Sequence, residues 1–490
     1  MKLYPDKDEF IRLAEKFNTI PVYADLPADL ETPVSLYYKI VGDEPGFMLE
    51  SAETSKSIGR YSFIGAAPFM TITARKSHIE VMTDGRLQKI AGAPLTGLQG
   101  ILDGFSFPEM RQLPPFSGGA VGYLTFEAIA TWERIRGMII NEDAVLGEYM
   151  LCQIVVAMDH LTHSAKLIYL ARVDDAAQAS AVYEEAVMCI AGLVEKINEE
   201  LPAMQNGDTT AMPSSAQRLG DDAAIKRRYM DYVERAKEYI RAGDAFQIVP
   251  SHPFRRKLTK APFELYRRLR RLNPSPYMFY INFGRRRLVG ASPERLVKLQ
   301  DFEVQTCPIA GTRPRGKTPE EDERLAAELL CDPKELAEHA MLVDIGRNDI
   351  GRISLPGTVK VSRMMQVETF SHVMHIVSEV TGRVDPKYKP TEVLASCFPA
   401  GTLSGAPKIR AVEIINELEN TPRGAYGGAV GYFDFRGNMD TCITIRTMAI
   451  DGDEVVVQSG GGIVADSVPE TEYQEILHKA GAMFGVLGGE

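Results

Sequence analysis

Short runs in which apolar and polar residues alternate fill the first part of the chain: Val34 to Ile40, Phe47 to Glu50, Met70 to Ala74 and Ile79 to Met82. Alternation of this kind puts one side of an extended segment on a core and the other in water, the signature of a half-buried strand. Asp84-Gly85, just after the last run, is the turn chemistry of a tight hairpin. These runs predict an antiparallel sheet with flanking helices. From Leu201 to Asp221 the pattern lapses into Pro202, Gly207, Pro213, Ser214, Ser215 and Gly220 with few apolar residues, which reads as a linker. It divides the chain into an N-terminal domain, 1–215, and a C-terminal domain, 222–490.

Beyond the linker, Tyr232, Val233, Ala236, Tyr239 and Ile240 recur at helical spacing, and Gly243 stands where a glycine would stop the helix. Strands are predicted at Ala245 to Val249, Tyr277 to Phe283, Val373 to Val380, Ala429 to Phe435, Thr441 to Ile450 and Glu454 to Gln458, too closely spaced for a regular βαβ array. One internal repeat stands out. Gly118-Gly119-Ala120-Val121-Gly122-Tyr123-Leu124-Thr125-Phe126 matches Gly427-Gly428-Ala429-Val430-Gly431-Tyr432-Phe433-Asp434-Phe435 at seven of nine positions. A glycine turn feeding a strand, used once in each half, predicts two related sheet layers facing each other.

Composition narrows the class. A chain of 490 residues exceeds one simple core, and its 45% hydrophobic and 25% charged content is that of a globular protein. A net charge of -11 argues against a nucleic-acid surface, which needs concentrated Lys and Arg; the one Arg-rich stretch (Arg267, Arg268, Arg270, Arg271) lies on a helical pattern and reads as a solvated face. The six cysteines are scattered without metal or Cys-x-x-Cys spacing, so buried free thiols are expected. With no apolar signal segment at the start and no run approaching the roughly 18 residues of a membrane span, a cytoplasmic location is expected.

The candidate chemistry is acidic. Glu335 with Glu338, and Glu472 with Glu475, are Glu-x-x-Glu pairs in predicted helices, and glutamates three apart share one helix face. Each pair could aim hard oxygen donors at a divalent ion such as Mg²⁺. Plainer readings stand beside this one. Asp332-Pro333-Lys334-Glu335 is a helix start in which Glu335 serves a capping box, and Glu475 with Lys479 is a surface i,i+4 bridge. His375 lies in an alternating strand pattern, where a satisfied core or edge histidine is ordinary; His160, His163 and His372 carry no better signal. The Gln458-Ser459-Gly460-Gly461-Gly462 run could offer backbone N–H groups to an anion or could be a simple turn.

Four stretches together carry a resemblance: Pro308 to Gly316 (PIAGTRPRG), Asp344 to Arg352 (DIGRNDIGR), Gly401 to Lys408 (GTLSGAPK) and the closing Glu472 to Lys479 segment. From about Asp222 onward the chain resembles the chorismate-utilising enzymes, and among them the family of anthranilate synthase large subunits. Leu49-Glu50-Ser51-Ala52-Glu53 looks like that family's feedback segment.

The resemblance implies an α+β fold, a two-layer sandwich of antiparallel β-sheets with flanking helices. It implies a Mg²⁺-dependent lyase of tryptophan biosynthesis that converts chorismate and ammonia to anthranilate and pyruvate through 2-amino-2-deoxyisochorismate. Mg²⁺ would be held by Glu335, Glu338, Glu472 and Glu475. Glu294 matches the proposed general acid and His375 the histidine of pyruvate elimination, with Thr402 and Lys479 at the substrate. Tyr426 and Arg446 match residues that hold the enolpyruvyl carboxylate, helped by Gly460, Gly461 and Gly462. Glu50, Ser51, Pro276, Tyr277, Met278, Phe279 and Cys442 match a tryptophan feedback pocket. Sibling enzymes of the family, aminodeoxychorismate synthase and aminodeoxyisochorismate synthase, remain the alternatives. Aminodeoxychorismate synthases commonly place a nucleophilic lysine where this chain has Ala310, and isochorismate and salicylate synthases a water-activating lysine where Gln247 stands; Gln247 cannot act as a base, so ammonia is the fitting attacker, and both absences point to the anthranilate synthase family. No Gly-x-Cys-x-Gly nucleophile turn is present, so ammonia is expected from solution or from a glutamine amidotransferase partner subunit, in a heterotetramer.

Overall fold

The computed structural model describes residues 2–51, 59–110, 112–201, 223–369 and 373–488. Ala52, Glu53, His372 and nearly all of the expected linker, with the domain boundary in it, lie outside the described residues. Among the described residues twenty-one strands join in one antiparallel hydrogen-bonded network, and a small second pair links Gln247–Ile248 to Gly405–Ala406. The network interleaves the two halves of the chain. The strand Gly46–Glu50 pairs on one side with Tyr61–Ala74 and on the other with Tyr277–Asn282.

The repeat seen in the sequence forms the second junction. Its two copies, Gly119–Leu124 and Ala429–Asp434, pair directly with each other, Gly122 opposite Gly431. They are neighbours in the sheet and not facing layers, which corrects the expectation drawn from the repeat. On its outer side each glycine meets the next strand closely: a Cβ at Gly122 would stand 1.9 Å from the Glu148 carbonyl oxygen, and one at Gly431 2.1 Å from that of Asp440.

The network encloses one apolar cluster built almost wholly of strand residues, among them Phe47, Phe63, Val121, Met150, Ile168, Phe279, Val430 and Cys442. This is the inside of the two-layer sandwich. A larger cluster lies between the sheet and its helices, including Lys7–Ala14, Ala179–Asn198, Ala223–Arg241, Pro262–Leu272, Lys408–Glu419 and Pro469–Leu487. A third, small cluster (Leu329, Met374, Ile376) seats the helices Pro319–Leu330 and Pro333–Gly351 against the strand Val373–Arg383. Among the described residues no helix is long and apolar enough to cross a membrane.

Most predicted elements are present, and two departures have clear causes. Val34 to Ile40 is a helix, Pro33–Ile40, because Thr32 caps it: the Thr32 hydroxyl accepts the Ser35 N–H at 3.0 Å, Pro33 opens the first turn, and Leu36, Tyr37 and Ile40 then fall on one buried face. The run Thr441 to Ile450 is two strands, Met439–Ile443 and Thr447–Asp451, broken where Arg446 takes a left-handed φ of +50°. By contrast, Asp84 and Gly85 adopt the two positive φ angles that a primed hairpin turn demands.

Because the strands beside Gly122 and Gly431 leave no room for a side chain, Gly431→Val is expected to destabilise by about 1–3 kcal/mol or more through overpacking. Gly100→Ala, in a helix with open space around it, should be neutral or stabilising. Thermal melts of both variants check this, and an unchanged melting temperature for Gly431→Val would contradict the packing described.

Candidate active site

Glu294 lies in the short turn between the strands Arg286–Ser292 and Arg295–Gln300, fixed by the Ile443 N–H donating to its carbonyl at 3.0 Å. The Thr402 hydroxyl, from the Gly401–Ser404 turn, sits 3.1 and 3.2 Å from its two carboxyl oxygens. The residue as a whole is half-buried, but protein packed around the carboxyl pushes its pKa up to about 8, against the opposing effects of Thr402 and the Lys479 charge. Glu294 is therefore an acid that holds its proton near neutral pH.

The helix Pro333–Gly351 starts as predicted, with the Asp332 carboxylate accepting the N–H groups of Lys334 and Glu335 at 3.0 and 3.3 Å. The Glu335 side chain takes no part in that cap; its carboxylate lies 3.5 Å from Arg313. One turn on, Glu338 accepts the Gln247 amide at 3.1 Å. Burial raises its pKa, and the nearby charges of Glu335 and Glu475 raise it further. Glu338 thus lies within electrostatic reach of both acidic pairs.

On the helix Pro469–Leu487, Glu475 does bridge Lys479 at 2.5 Å, and the same ammonium donates to the Gly460 carbonyl at 3.0 Å. The i,i+4 pair is real, yet it points into the site. Glu472 is raised by burial and by Glu475. A Cβ added to Gly461 would stand 3.3 Å from a Glu472 carboxylate oxygen and 4.0 Å from one of Glu475, so the glycine run keeps a cradle open beside both.

Among the described residues no three acidic, histidine or cysteine side chains are drawn together tightly enough to grip one ion as they stand. Arg313 and Lys479 meanwhile balance Glu335 and Glu475. The donor chemistry nevertheless fits a hard dication. Carboxylates from both helices repel one another around Glu338, and Gln247 Oε1 beside them is buried with no hydrogen-bond partner.

His375 Nδ1 lies 2.8 Å from the Gly311 carbonyl and 3.1 Å from the Thr312 hydroxyl. A carbonyl can only accept, so Nδ1 carries the proton and Nε2 is the basic nitrogen. Burial lowers the His375 pKa and the nearby Arg446 charge lowers it further, so the ring is neutral. Arg446, aimed by the strand break, donates to the Lys479 carbonyl at 3.3 Å, with Tyr426 and Glu475 close by. The Tyr426 hydroxyl is pushed up by burial and flanks Gly460, where a Cβ would approach it to 3.1 Å. The Gly461 N–H, expected to face a ligand, is occupied by the Tyr229 hydroxyl at 3.1 Å and the Pro250 carbonyl at 3.3 Å.

The structure thus brings Glu294, Thr402, Lys479, Glu475, Glu472, Glu338, Glu335, Arg446, Tyr426, His375 and the Gly460–Gly462 run into one neighbourhood. Sequence reasoning missed Tyr229, Arg313 and Arg423. It named Gln247 only for what it cannot do.

The expected regulatory residues form a separate group at the junction of the halves. Glu50 is paired with Met278 across the strands, and its buried carboxylate accepts from Tyr266 and from Arg270 at 2.6 Å. Arg270 is therefore not on a purely solvated face. Phe279 and Cys442 lie inside the sandwich, Tyr277 packs against it, and the buried Ser51 hydroxyl has no hydrogen-bond partner among the described residues.

Glu294 generates a prediction on stability. Its folded pKa near 8 exceeds the ordinary value of 4.5, so its contribution is complete below the unfolded pKa and is lost as pH rises through the folded one. Glu294→Gln should gain stability relative to the parent as pH goes from about 5 to about 8, read as the difference in melting temperature at each pH; a constant difference would refute the raised pKa.

Residues 44–485 match the chorismate binding enzyme family. The chain is 43% identical over 488 residues to anthranilate synthase component 1 of Acetivibrio thermocellus, covering 99% of this chain and 98% of that protein. It is 42% identical over 486 residues to the Pseudomonas putida protein of the same name, covering 98% and 97%. The crystal structure of anthranilate synthase component I from Streptococcus pneumoniae superposes with a TM-score of 0.70 at 35% identity, over 88% of this chain and 93% of that one. The menaquinone-specific isochorismate synthase from Escherichia coli shares the fold, with a TM-score of 0.70 at 19% identity over 98% of this chain and 99% of that one. With a fold and a sequence match that run nearly the length of the chain, the protein belongs to the chorismate binding enzyme family, among the anthranilate synthase component 1 proteins.

Proposed function

We propose that this chain converts chorismate and ammonia to anthranilate and pyruvate. The observation that carries the reading is a protonated acid, Glu294 under Thr402, and a neutral basic histidine, His375, linked through Lys479 and Arg446: the Lys479 charge acts on Glu294, while Arg446 donates to the Lys479 carbonyl and its charge acts on His375. A reaction that first expels a hydroxyl and then eliminates pyruvate needs an acid for the first step and a base for the second.

Mg²⁺ would be held by Glu335, Glu338, Glu472 and Glu475, and when bound it supplies positive charge that fixes the substrate's ring carboxylate and draws charge from the ring as hydroxide leaves. The remaining roles belong to the chain's own side chains. Arg446 offers a two-pronged donor to the enolpyruvyl carboxylate, with Tyr426 beside it. Glu294 gives its proton to the departing C4 hydroxyl while ammonia adds at C2. His375 Nε2 then takes the ring proton as pyruvate is lost and the ring becomes aromatic. Gln247, a hydrogen-bond donor to Glu338 and no base, suits an attacker that needs no activation. Ala310, on the strand Ile309–Pro314, cannot form a covalent ring adduct. Nitrogen would reach the site from a glutamine amidotransferase partner or as free ammonia. L-tryptophan would inhibit at the Glu50, Ser51 and Tyr277 to Phe279 group, where an amino group could replace Arg270 on Glu50.

Purified protein given chorismate, Mg²⁺ and ammonium should yield a fluorescent aromatic amine and pyruvate together. Release of a non-aromatic amino product without pyruvate would assign the chain to a sibling reaction. Glu338→Gln is expected to lose about a hundredfold or more in turnover with little change in stability, and His375→Met to accumulate the amino intermediate. Near-normal anthranilate release by either would reject its role. Millimolar L-tryptophan should suppress the wild-type rate and spare Glu50→Ala; equal inhibition of both would remove the regulatory assignment.

A further inference from the structure

We infer that Arg423 is a positioning residue for this site and that Glu127, from the N-terminal half, is the anchor that holds it, an inference that rests on the functional reading above. The Arg423 side chain is only 1% exposed and its partner Glu419 4%, with the two 2.5 Å apart. Arg423 spends its donors on more than that pair. Nη1 donates to the Leu403 carbonyl at 2.8 Å and Nη2 to the Val249 carbonyl at 2.6 Å, while the guanidinium lies 4.5 Å from the Phe126 ring centre and 5.7 Å from that of Tyr426.

Each bond holds a segment that carries a site residue. Leu403 follows Thr402, the donor to Glu294. Val249 lies between Gln247, the donor to Glu338, and Ser251, which pairs with Gly460. Glu419 extends the same network, accepting the Ser251 N–H at 2.7 Å and its hydroxyl at 2.9 Å. Arg423 itself lies in the loop that presents Tyr426. One buried cation is therefore the common tie of three segments that carry Thr402, the hydroxyl partner of Glu294, Gln247, the amide partner of Glu338, and Tyr426.

Glu127 closes the arrangement from outside the C-terminal half. Its two carboxylate oxygens accept the Arg423 N–H at 2.5 Å and the Gly424 N–H at 3.1 Å, and the Gly424 carbonyl in turn accepts the Phe126 N–H at 2.9 Å. Stability alone is a poor reason for such a cluster, since a buried ion pair commonly contributes no more than well-packed apolar residues would. Fixed geometry is the better reason: the planar guanidinium sets several carbonyls in one frame, which a lysine ammonium cannot do.

The test is a double-mutant cycle on the full-length protein. Glu127→Gln, which keeps the shape but turns an amide donor toward one backbone N–H, is expected to raise the KM for chorismate about tenfold, with Trp132 emission, at the end of the same helical turn, unchanged. Combined with Tyr426→Phe it should be no worse than Tyr426→Phe alone, because both act through one loop. Glu148→Gln, whose buried carboxylate pairs with the partly exposed Arg286 at 2.5 Å, is the control and should lower the melting temperature without moving KM. Independent effects in the double variant, or a lower melting temperature with KM unchanged for Glu127→Gln, would overturn the inference. Hydrogen exchange judges the geometry apart from the reaction. Glu127→Gln should speed exchange in 401–404 and 424–428, and unchanged protection there would also overturn it. Failure of the wild type to form anthranilate would instead sink the functional reading, leaving exchange to decide the positioning.

Discussion

The main-chain pairing of Gly119–Leu124 with Ala429–Asp434 is the constraint on which the rest of the architecture hangs. Side chains are excluded at its centre, because the strands Gly147–Asp159 and Met439–Ile443 crowd Gly122 and Gly431 from outside. At one end of this seam a Cβ on Gly428 would strike the Leu124 carbonyl oxygen at 2.0 Å, so the loop bearing Tyr426 must leave the sheet at a defined point. There Phe126 and Glu127 meet Arg423 and Gly424. The N-terminal half is thereby structural to the site although it supplies none of the proposed catalytic side chains.

Charge is balanced unevenly among the carboxylates of the site. Glu294 escapes by keeping its proton. Glu335 and Glu475 are met by Arg313 and Lys479. Glu338, with only an amide donor, carries the strain of its neighbours as a raised pKa. A dianionic substrate entering alone would worsen this balance, whereas one entering with a dication would improve it.

Much of this was legible in the chain because the signals were local. Spacing put Glu335 with Glu338 and Glu472 with Glu475 on helix faces, and alternation placed His375 on a strand. The seven-of-nine repeat marked the seam, yet repetition in sequence carries no statement of whether two strands face or adjoin, and the wrong arrangement was expected. Tyr229 was invisible for a different reason. A tyrosine at helical spacing reads as core, which it also is, and only the fold brings its hydroxyl to Gly461. Arg446 was named from family likeness alone, and the left-handed break at its position lies within what the sequence shows as an unbroken strand pattern. Arg423 and Glu127 are far apart in sequence and share no motif, so no local rule could join them.

The proposed inhibitor pocket and the proposed acid are closer than their separate roles suggest. Arg295 follows Glu294 in the chain and donates to the Tyr277 hydroxyl at 2.6 Å, while that hydroxyl reaches Asp440 at 3.0 Å. Asp440 stands in the strand Met439–Ile443, whose Ile443 N–H holds the Glu294 carbonyl. A ligand that moved Tyr277 would therefore pull on the turn carrying Glu294 from two sides, through a hydrogen bond to its neighbour and through the strand that fixes its backbone. Such a ligand could shift the site only as far as it bound the two positions of Tyr277 unequally. No long relay is needed, since Tyr277 bonds directly to the residue that follows Glu294.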